Sequence, residues 1–161
     1  MRFKEYITES TVEVVNGKLV TNKSGKHIPG DFDCRNNQLT SLEGAPSSVG
    51  GNFYCDHNQL ASLAGAPQSV GGHFYCSSNQ LTSLEGIHKQ IHKMSGEFRA
   101  TSNPLESHVL GLLLIKGITR IQLGISEVDT ILNKYLGQGR AGVLGAQSEL
   151  IEIGLDEFAK L

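Results

Sequence analysis

The three cysteines are the most reactive side chains in this 161-residue chain, and their spacing argues against a metal site. Cys34, Cys55 and Cys76 are each 21 residues apart. A regular interval predicts one column of equivalent positions in a repeated structure, whereas a metal ion needs its ligands in one cluster. Because free Cys packs as a small apolar side chain, we predict three buried free thiols and no metal site. Metal or redox use is the alternative.

Two other patterns suggest chemistry. His88 and His92 are four residues apart, so a helix would place both imidazoles on one face, where they could hold zinc. No Glu follows His88, so the metalloprotease pattern is absent, and we interpret both as surface histidines. Gly137, Gly139 and Gly142 match the dinucleotide fingerprint, but a helix is predicted before them where the motif requires a strand. We therefore expect no catalytic site and no cofactor.

An internal repeat dominates the first two thirds of the chain. Segments 30–42, 51–63 and 72–84 align without gaps on the pattern Phe-x-Cys-x-x-Asn-x-Leu-x-x-Leu. A degenerate fourth copy, 96–105, arrives three residues late because 86–95 replaces the usual Gly-Ala-Pro connection. Equivalent residues are thus predicted to stack at the strand spacing, about 4.8 Å.

This pattern resembles the leucine-rich repeat, with Phe and Cys at two of its usual leucine positions, over about residues 28–108. The short repeat is similar to the bacterial type, and the whole chain resembles leucine-rich-repeat proteins of tailed, T-even-like phages. The resemblance implies an α/β fold: a short solenoid with a parallel β-stack of about four to five coils. A β-hairpin is expected to cap its N-terminal end and α-helices its C-terminal end.

Asparagine recurs where each coil must turn after its strand. A buried amide at this position can bond free backbone groups of its own coil and of its neighbour, which otherwise cost about 1–3 kcal/mol each. This predicted structural ladder consists of Asn37, Asn58, Asn79 and Asn103.

The ends of the chain differ from the repeat. We divide the chain into a leader-like segment (1–10), a hairpin cap (11–29), the repeats (30–108), and a last strand with a helical cap (109–161). The hairpin is predicted from Asn-Gly at positions 16–17, flanked by alternating apolar residues. In the C-terminal cap, Ser126 and Asp129 resemble a capping box that opens a helix.

Residues beside the core pair of each strand should point outward and line a concave face. Stacked tyrosines flanked by charges are typical of protein-binding surfaces, because Tyr offers large area at low entropy cost. The alternative is that the tyrosines only stabilise the sheet, by about 0.2–1 kcal/mol. The predicted partner-binding residues are Asp33, Arg35, Tyr54, Asp56, His73, Tyr75 and Arg99.

The first ten residues contain a possible processing site. The segment is similar to the short amphipathic leader that marks proteins for packaging into the heads of T-even-like phages. In that family a protease cuts after Glu in an Ile/Leu-x-Glu sequence, which Ile7, Thr8 and Glu9 match. The alternative is an ordinary N-terminal turn that docks on the hairpin.

Composition narrows the class of partner. The formal charge is −2, from 14 basic and 16 acidic residues, which favours neither nucleic acid nor a membrane surface. No apolar run approaches a membrane span and no signal peptide is visible, so we expect the bacterial host cytoplasm or the phage virion. We predict a non-enzymatic module that binds a host or virion protein. A virion structural component, as capsid decoration or packaged head protein, is the alternative.

Overall fold

A β-hairpin opens the part of the chain that this computed structural model describes, residues 13–161. Strand β1 (Glu13–Val15) pairs antiparallel with β2 (Lys18–Val20). Asn16 and Gly17 between them have φ angles of 53° and 73°, as a two-residue hairpin turn requires. The Gly17 carbonyl accepts a hydrogen bond from the Thr40 N–H (2.9 Å), so the predicted hairpin covers the first coil. The possible processing site at Glu9 lies outside the described residues.

After the hairpin the chain winds into stacked coils that form two parallel sheets. The four-stranded sheet contains, in spatial order, β3 (His27–Ile28), β5 (Ser48–Val49), β7 (Ser69–Val70) and β9 (Lys93–Met94). The five-stranded sheet contains, in spatial order, β4 (Phe32–Asp33), β6 (Phe53–Tyr54), β8 (Phe74–Tyr75), β10 (Glu97–Arg99) and β11 (Arg120–Gln122). The fold is therefore a short leucine-rich-repeat-like β-solenoid of about five coils, as predicted.

Equivalent residues of successive coils lie opposite each other. Phe32 pairs with Phe53, Phe53 with Phe74, and Phe74 with Phe98. The last step is longer in sequence because the connection after the third coil contains helix α1 (Ile87–Gln90). The inserted residues thus lie outside the strands and leave the sheet register intact.

The core consists of columns of identical side chains. Neighbouring rings in the phenylalanine column are stacked, with centroids 5.6, 5.1 and 5.5 Å apart. Each fully buried Phe contributes about 1.5–3 kcal/mol through its apolar area, and each stacked pair about 0.5–1.5 kcal/mol more. The neighbouring columns are also buried and contain Cys34, Cys55, Cys76, Leu39, Leu60, Leu81, Leu42, Leu63 and Leu84.

Asparagine side chains join one coil to the next. Asn58 donates from Nδ2 to the Cys34 and Cys55 carbonyls (both 3.0 Å) and accepts the Leu39 N–H at Oδ1 (3.0 Å). Asn79 repeats these bonds one coil later, and so does Asn103 one coil after that. Each amide therefore satisfies backbone groups that the turn would leave unpaired in the core.

Asn37 differs from the other three. Its Nδ2 donates to the Arg35 carbonyl of its own coil (2.8 Å), and its backbone N–H donates to Asn58 Oδ1 (3.0 Å). The difference has a simple cause: each Asn bonds to the preceding coil, and Asn37 belongs to the first one. Of the predicted ladder, only the three later asparagines connect two coils.

The residue before each asparagine adopts a left-handed conformation. Asn36, His57, Ser78 and Ser102 have φ angles of 58°, 55°, 54° and 57°. For residues other than Gly and Asn, the left-handed conformation is sterically unfavourable by about 1–2 kcal/mol. This conformation produces a sharp turn, which directs the side-chain amide of the next residue into the core.

The C-terminal cap is helical, as predicted. A 3₁₀ helix (Leu110–Leu114) leads to β11, followed by α2 (Ser126–Lys134) and α3 (Gly139–Glu152). Helix α2 packs on β11 and α3 packs on the 3₁₀ helix, so together they cover the last coil. Within residues 13–161, the helices are all too short or too polar to span a membrane.

Helix α2 closes the edge of β11 with side chains. Asn133 accepts the Ile121 N–H at Oδ1 (2.9 Å) and donates from Nδ2 to the Ile121 carbonyl (2.7 Å), as a further strand would. The predicted capping box is wrong: Asp129 instead accepts the N–H groups of Leu123 (2.7 Å) and Gly124 (3.0 Å). This carboxylate is therefore committed to the end of β11, and the helix begins without a side-chain cap.

Candidate interaction surface

The outward side of the five-stranded sheet carries all the predicted partner-binding residues. Phe and Cys point into the core, so the alternate residues of each strand point out. We call this surface the tyrosine face. Its charged and aromatic members are Asp31, Asp33, Arg35, Tyr54, Asp56, His73, Tyr75, Glu97, Arg99 and Arg120.

Two tyrosines at the centre of this face lie between two guanidinium groups. The rings of Tyr54 and Tyr75, on paired strands, have centroids 5.5 Å apart and are tilted by 42° to each other. Arg35 lies over the Tyr54 ring at 4.7 Å and Arg99 over the Tyr75 ring at 4.9 Å. Cation–π contacts at exposed sites contribute about 0.5–1 kcal/mol each. The four side chains thus form one continuous stack across four coils.

Carboxylates hold both arginines in this stack. Asp33 accepts two hydrogen bonds from the Arg35 guanidinium, at Oδ1 from Nε (2.9 Å) and at Oδ2 from Nη2 (2.6 Å), and a third from the Arg35 backbone N–H. These bonds hold the pKa of the Asp33 carboxyl below its ordinary value. Glu97, whose side chain is 10 % exposed, accepts from Arg99 Nη2 (2.9 Å) and lies 3.9 Å from Arg120 Nε. Both guanidiniums are therefore fixed in position before any partner arrives.

His73 and its equivalents tie the beginnings of the strands together. Asp31 Oδ1 accepts the Asn52 N–H (2.6 Å), Asn52 Oδ1 accepts the His73 N–H (2.8 Å), and His73 Nδ1 accepts the Glu97 N–H (2.9 Å). The His73 ring also stacks on Tyr75, with centroids 5.4 Å apart. Burial, helped by the nearby Glu97, raises the pKa of the Tyr75 hydroxyl. His73 thus positions both the strand and the tyrosine.

Asp56, like Asp31, differs from Asp33 and Glu97, the two carboxylates of the face that are ion-paired. Its Oδ1 accepts the Ser77 N–H (2.9 Å), and it forms no ion pair with the described residues. Asp56 lines a polar groove together with Tyr54, Tyr75 and Arg99. Arg35 lines the same groove but forms its ion pair with Asp33, so Asp56 is the groove's carboxylate that no cation of the described residues contacts directly.

The cysteines lie behind this face and are free, as predicted. Burial raises the pKa of the Cys34 thiol to about 12 and raises those of Cys55 and Cys76 as well. The Cys34 thiol donates to the Tyr54 carbonyl (3.3 Å). Such thiols are poor nucleophiles at neutral pH, because the thiolate is the reactive form. Among residues 13–161, no group of three or more His, Cys, Asp or Glu could hold a metal ion.

The two other chemical patterns do not form sites. Helix α1 ends at Gln90, so His88 and His92 do not share a helical face. Gly137 lies between α2 and α3, Gly139 is the first residue of α3, and both have positive φ, so a helix and not a strand precedes the glycine motif. These glycines end one helix and begin the next.

Sequence reasoning did not include Asp31, Glu97 and Arg120 in the candidate surface. The repeat could have identified Glu97, because Glu97 follows Gly96 in the same way that His73 follows Gly72. Arg120 could be placed only from the structure, because no repeat motif marks the fifth coil. No protein-family model, curated protein or solved structure matches this chain. The geometry of the tyrosine face is therefore the basis for assigning a function.

Proposed function

We propose that this chain is a non-enzymatic protein-binding module of phage or prophage origin. It binds a host or virion protein through the tyrosine face. The observation that carries this proposal is the Arg35–Tyr54–Tyr75–Arg99 stack on the outward side of the sheet.

The stack suits binding because it is rigid and partly exposed. Immobilising a flexible side chain on association costs about 0.5–1.5 kcal/mol. Here Asp33 and Glu97 already hold the two arginines, and the tyrosines are held by the tilted contact between their rings and by stacking of His73 on Tyr75. Tyr and Arg are also the side chains that most often dominate the binding energy of interfaces.

The phage origin rests on the sequence resemblance and defines where to look for the partner. Affinity capture from a bacterial host extract should recover a protein with the wild-type chain and lose it with Tyr54→Ala/Tyr75→Ala. Calorimetry with the purified partner should then show at least a tenfold loss of affinity, because each anchor is worth at least about 1–2 kcal/mol. Lys93→Ala/Lys116→Ala, on exposed positions of the four-stranded-sheet side, is the matched control and should bind normally.

Equal affinity of the tyrosine variant and the wild type would exclude this face. Conservative Tyr54→Phe/Tyr75→Phe variants separate stacking from hydroxyl contacts and should bind more tightly than the alanine variants. Mass spectrometry of purified phage particles tests the structural alternative: incorporation of the chain at fixed stoichiometry would favour a virion component.

A further inference from the structure

The charges of the tyrosine face are segregated by coil. The first two coils carry three carboxylates, on Asp31, Asp33 and Asp56, against one guanidinium, on Arg35. The last two coils carry one carboxylate, on Glu97, against two guanidiniums. Those two are Arg99 and Arg120.

From this segregation we infer that the partner presents an extended segment of opposite polarity. The inference rests on the proposed function and specifies its ligand: a polypeptide that lies across the strands. Its basic side chain meets Asp56, and its acidic side chain meets Arg99 and Arg120. Its central residues lie over Tyr54 and Tyr75.

The acidic end has two carboxylates without an ion pair among the described residues, on Asp31 and Asp56, and Asp56 is the one that lines the groove with the two tyrosines. Asp33 is neutralised by its two bonds to the Arg35 guanidinium, whereas Asp56 uses one oxygen for the Ser77 N–H and has no ion-pair partner among the described residues. The bond to Ser77 fixes the carboxylate beside the two tyrosine rings. A Lys or Arg of the partner can therefore form an ion pair there without displacing an existing one.

The basic end has donors available for a carboxylate. Arg99 gives one Nη2 hydrogen bond to Glu97, and 42 % of its side chain remains exposed. The Arg120 side chain is 66 % exposed, and its Nε lies 3.9 Å from Glu97 Oε1, beyond hydrogen-bond range. The two guanidiniums share the single carboxylate of Glu97. A carboxylate of the partner can therefore form an ion pair with them.

Strand spacing sets the length of the segment. Asp56 lies two strands from Arg99 and three from Arg120, with offsets of two and four residues along the strands. Together, the strand spacing and these offsets place the Cα of Asp56 about 12 Å from that of Arg99 and about 19 Å from that of Arg120. An extended chain covers these distances with about four to six residues. The basic and acidic residues of the partner should therefore be separated by about that number.

A library of random displayed dodecapeptides provides the probe. Selection on the wild-type chain, with counter-selection on Tyr54→Ala/Tyr75→Ala, should enrich peptides with Lys or Arg about four to six residues from Asp or Glu. In fluorescence-polarisation titrations of one such peptide, Asp56→Asn and Arg120→Gln should each weaken binding about two- to fivefold. Replacing the peptide's own Lys should abolish the effect of Asp56→Asn, and replacing its acid should abolish that of Arg120→Gln.

The outcomes separate the two proposals. Peptides that require the tyrosines but show no coupling to Asp56 or Arg120 would overturn the inferred polarity and leave the proposed function standing. Peptides that bind the tyrosine variant with the same affinity as the wild type contradict both proposals. A fluorescein-labelled single-stranded oligonucleotide should not bind; binding that Arg120→Gln removes would assign the basic end to nucleic acid and overturn the inference.

Discussion

At the scale of single residues, the inner asparagines differ from the first one in what their loss exposes. Removing the Asn79 amide leaves the buried Leu60 N–H without its partner and removes one of the two side-chain hydrogen bonds to each of the Cys55 and Cys76 carbonyls. We expect Asn79→Ala to lower the free energy of unfolding by about 3 kcal/mol or more. Asn37→Ala, which removes one bond within its own coil, should cost less than about 1 kcal/mol. Urea unfolding followed by circular dichroism measures both, and equal losses would show that the inter-coil bonds contribute little.

The same coils show which residues the sequence could identify. The asparagines were predictable because one residue type recurs at one position. The preceding left-handed residue was not, since the four positions carry three residue types and none is Gly: Asn36, His57, Ser78 and Ser102. Their conformation is imposed by the strand before and the amide after, so only the assembled coil reveals it. The pairing of Arg99 with Glu97 was hidden for the same reason, because it depends on side-chain geometry.

At the scale of elements, helix α2 substitutes for a sixth strand. Asn133→Ala would leave the Ile121 N–H and carbonyl at an open sheet edge. We expect hydrogen exchange of the Ile121 amide to accelerate at least tenfold, because each 1.4 kcal/mol of lost protection is a factor of ten. Exchange of the Cys55 amide, bonded to the Tyr75 carbonyl inside the sheet (2.8 Å), should not change.

The control for this experiment lies on the same helix. Thr130→Ala removes a hydroxyl that bonds only the Ser126 carbonyl, so it should leave the Ile121 exchange rate as in the wild type. Acceleration in Thr130→Ala alone, or none in Asn133→Ala, would mean that helix packing and not the Asn133 amide protects the edge. Exchange is read residue by residue from nuclear magnetic resonance spectra.

Element prediction succeeded where local signals determine the structure. The hairpin follows from Asn16 and Gly17, and the strands follow from the repeat. The capping box failed because Asp129 is recruited by β11, an interaction that the local pattern Ser-x-x-Asp cannot report. The second sheet could not be predicted, since two-residue strands such as β5 carry no periodicity of their own.

At the scale of the whole molecule, stability depends on interfaces between neighbouring coils, which makes the ends different from the middle. Opening the coil of Cys34 breaks one coil–coil interface and the hairpin contact, whereas opening the coil of Cys55 or Cys76 breaks two interfaces. All three thiols are fully buried, so each reacts only after its coil opens. The order of labelling therefore reports the order of opening.

We expect Cys34 to label first when the native chain is exposed to an excess of iodoacetamide in low urea. The measurement is the alkylated fraction of each cysteine over time, by peptide mass spectrometry of the unmodified sequence. In high urea all three should label at one rate, which controls for intrinsic reactivity. Equal rates in low urea would mean that the solenoid opens as a single cooperative unit. Labelling of Cys76 before Cys34 would mean that the helical cap holds its end less firmly than the hairpin does.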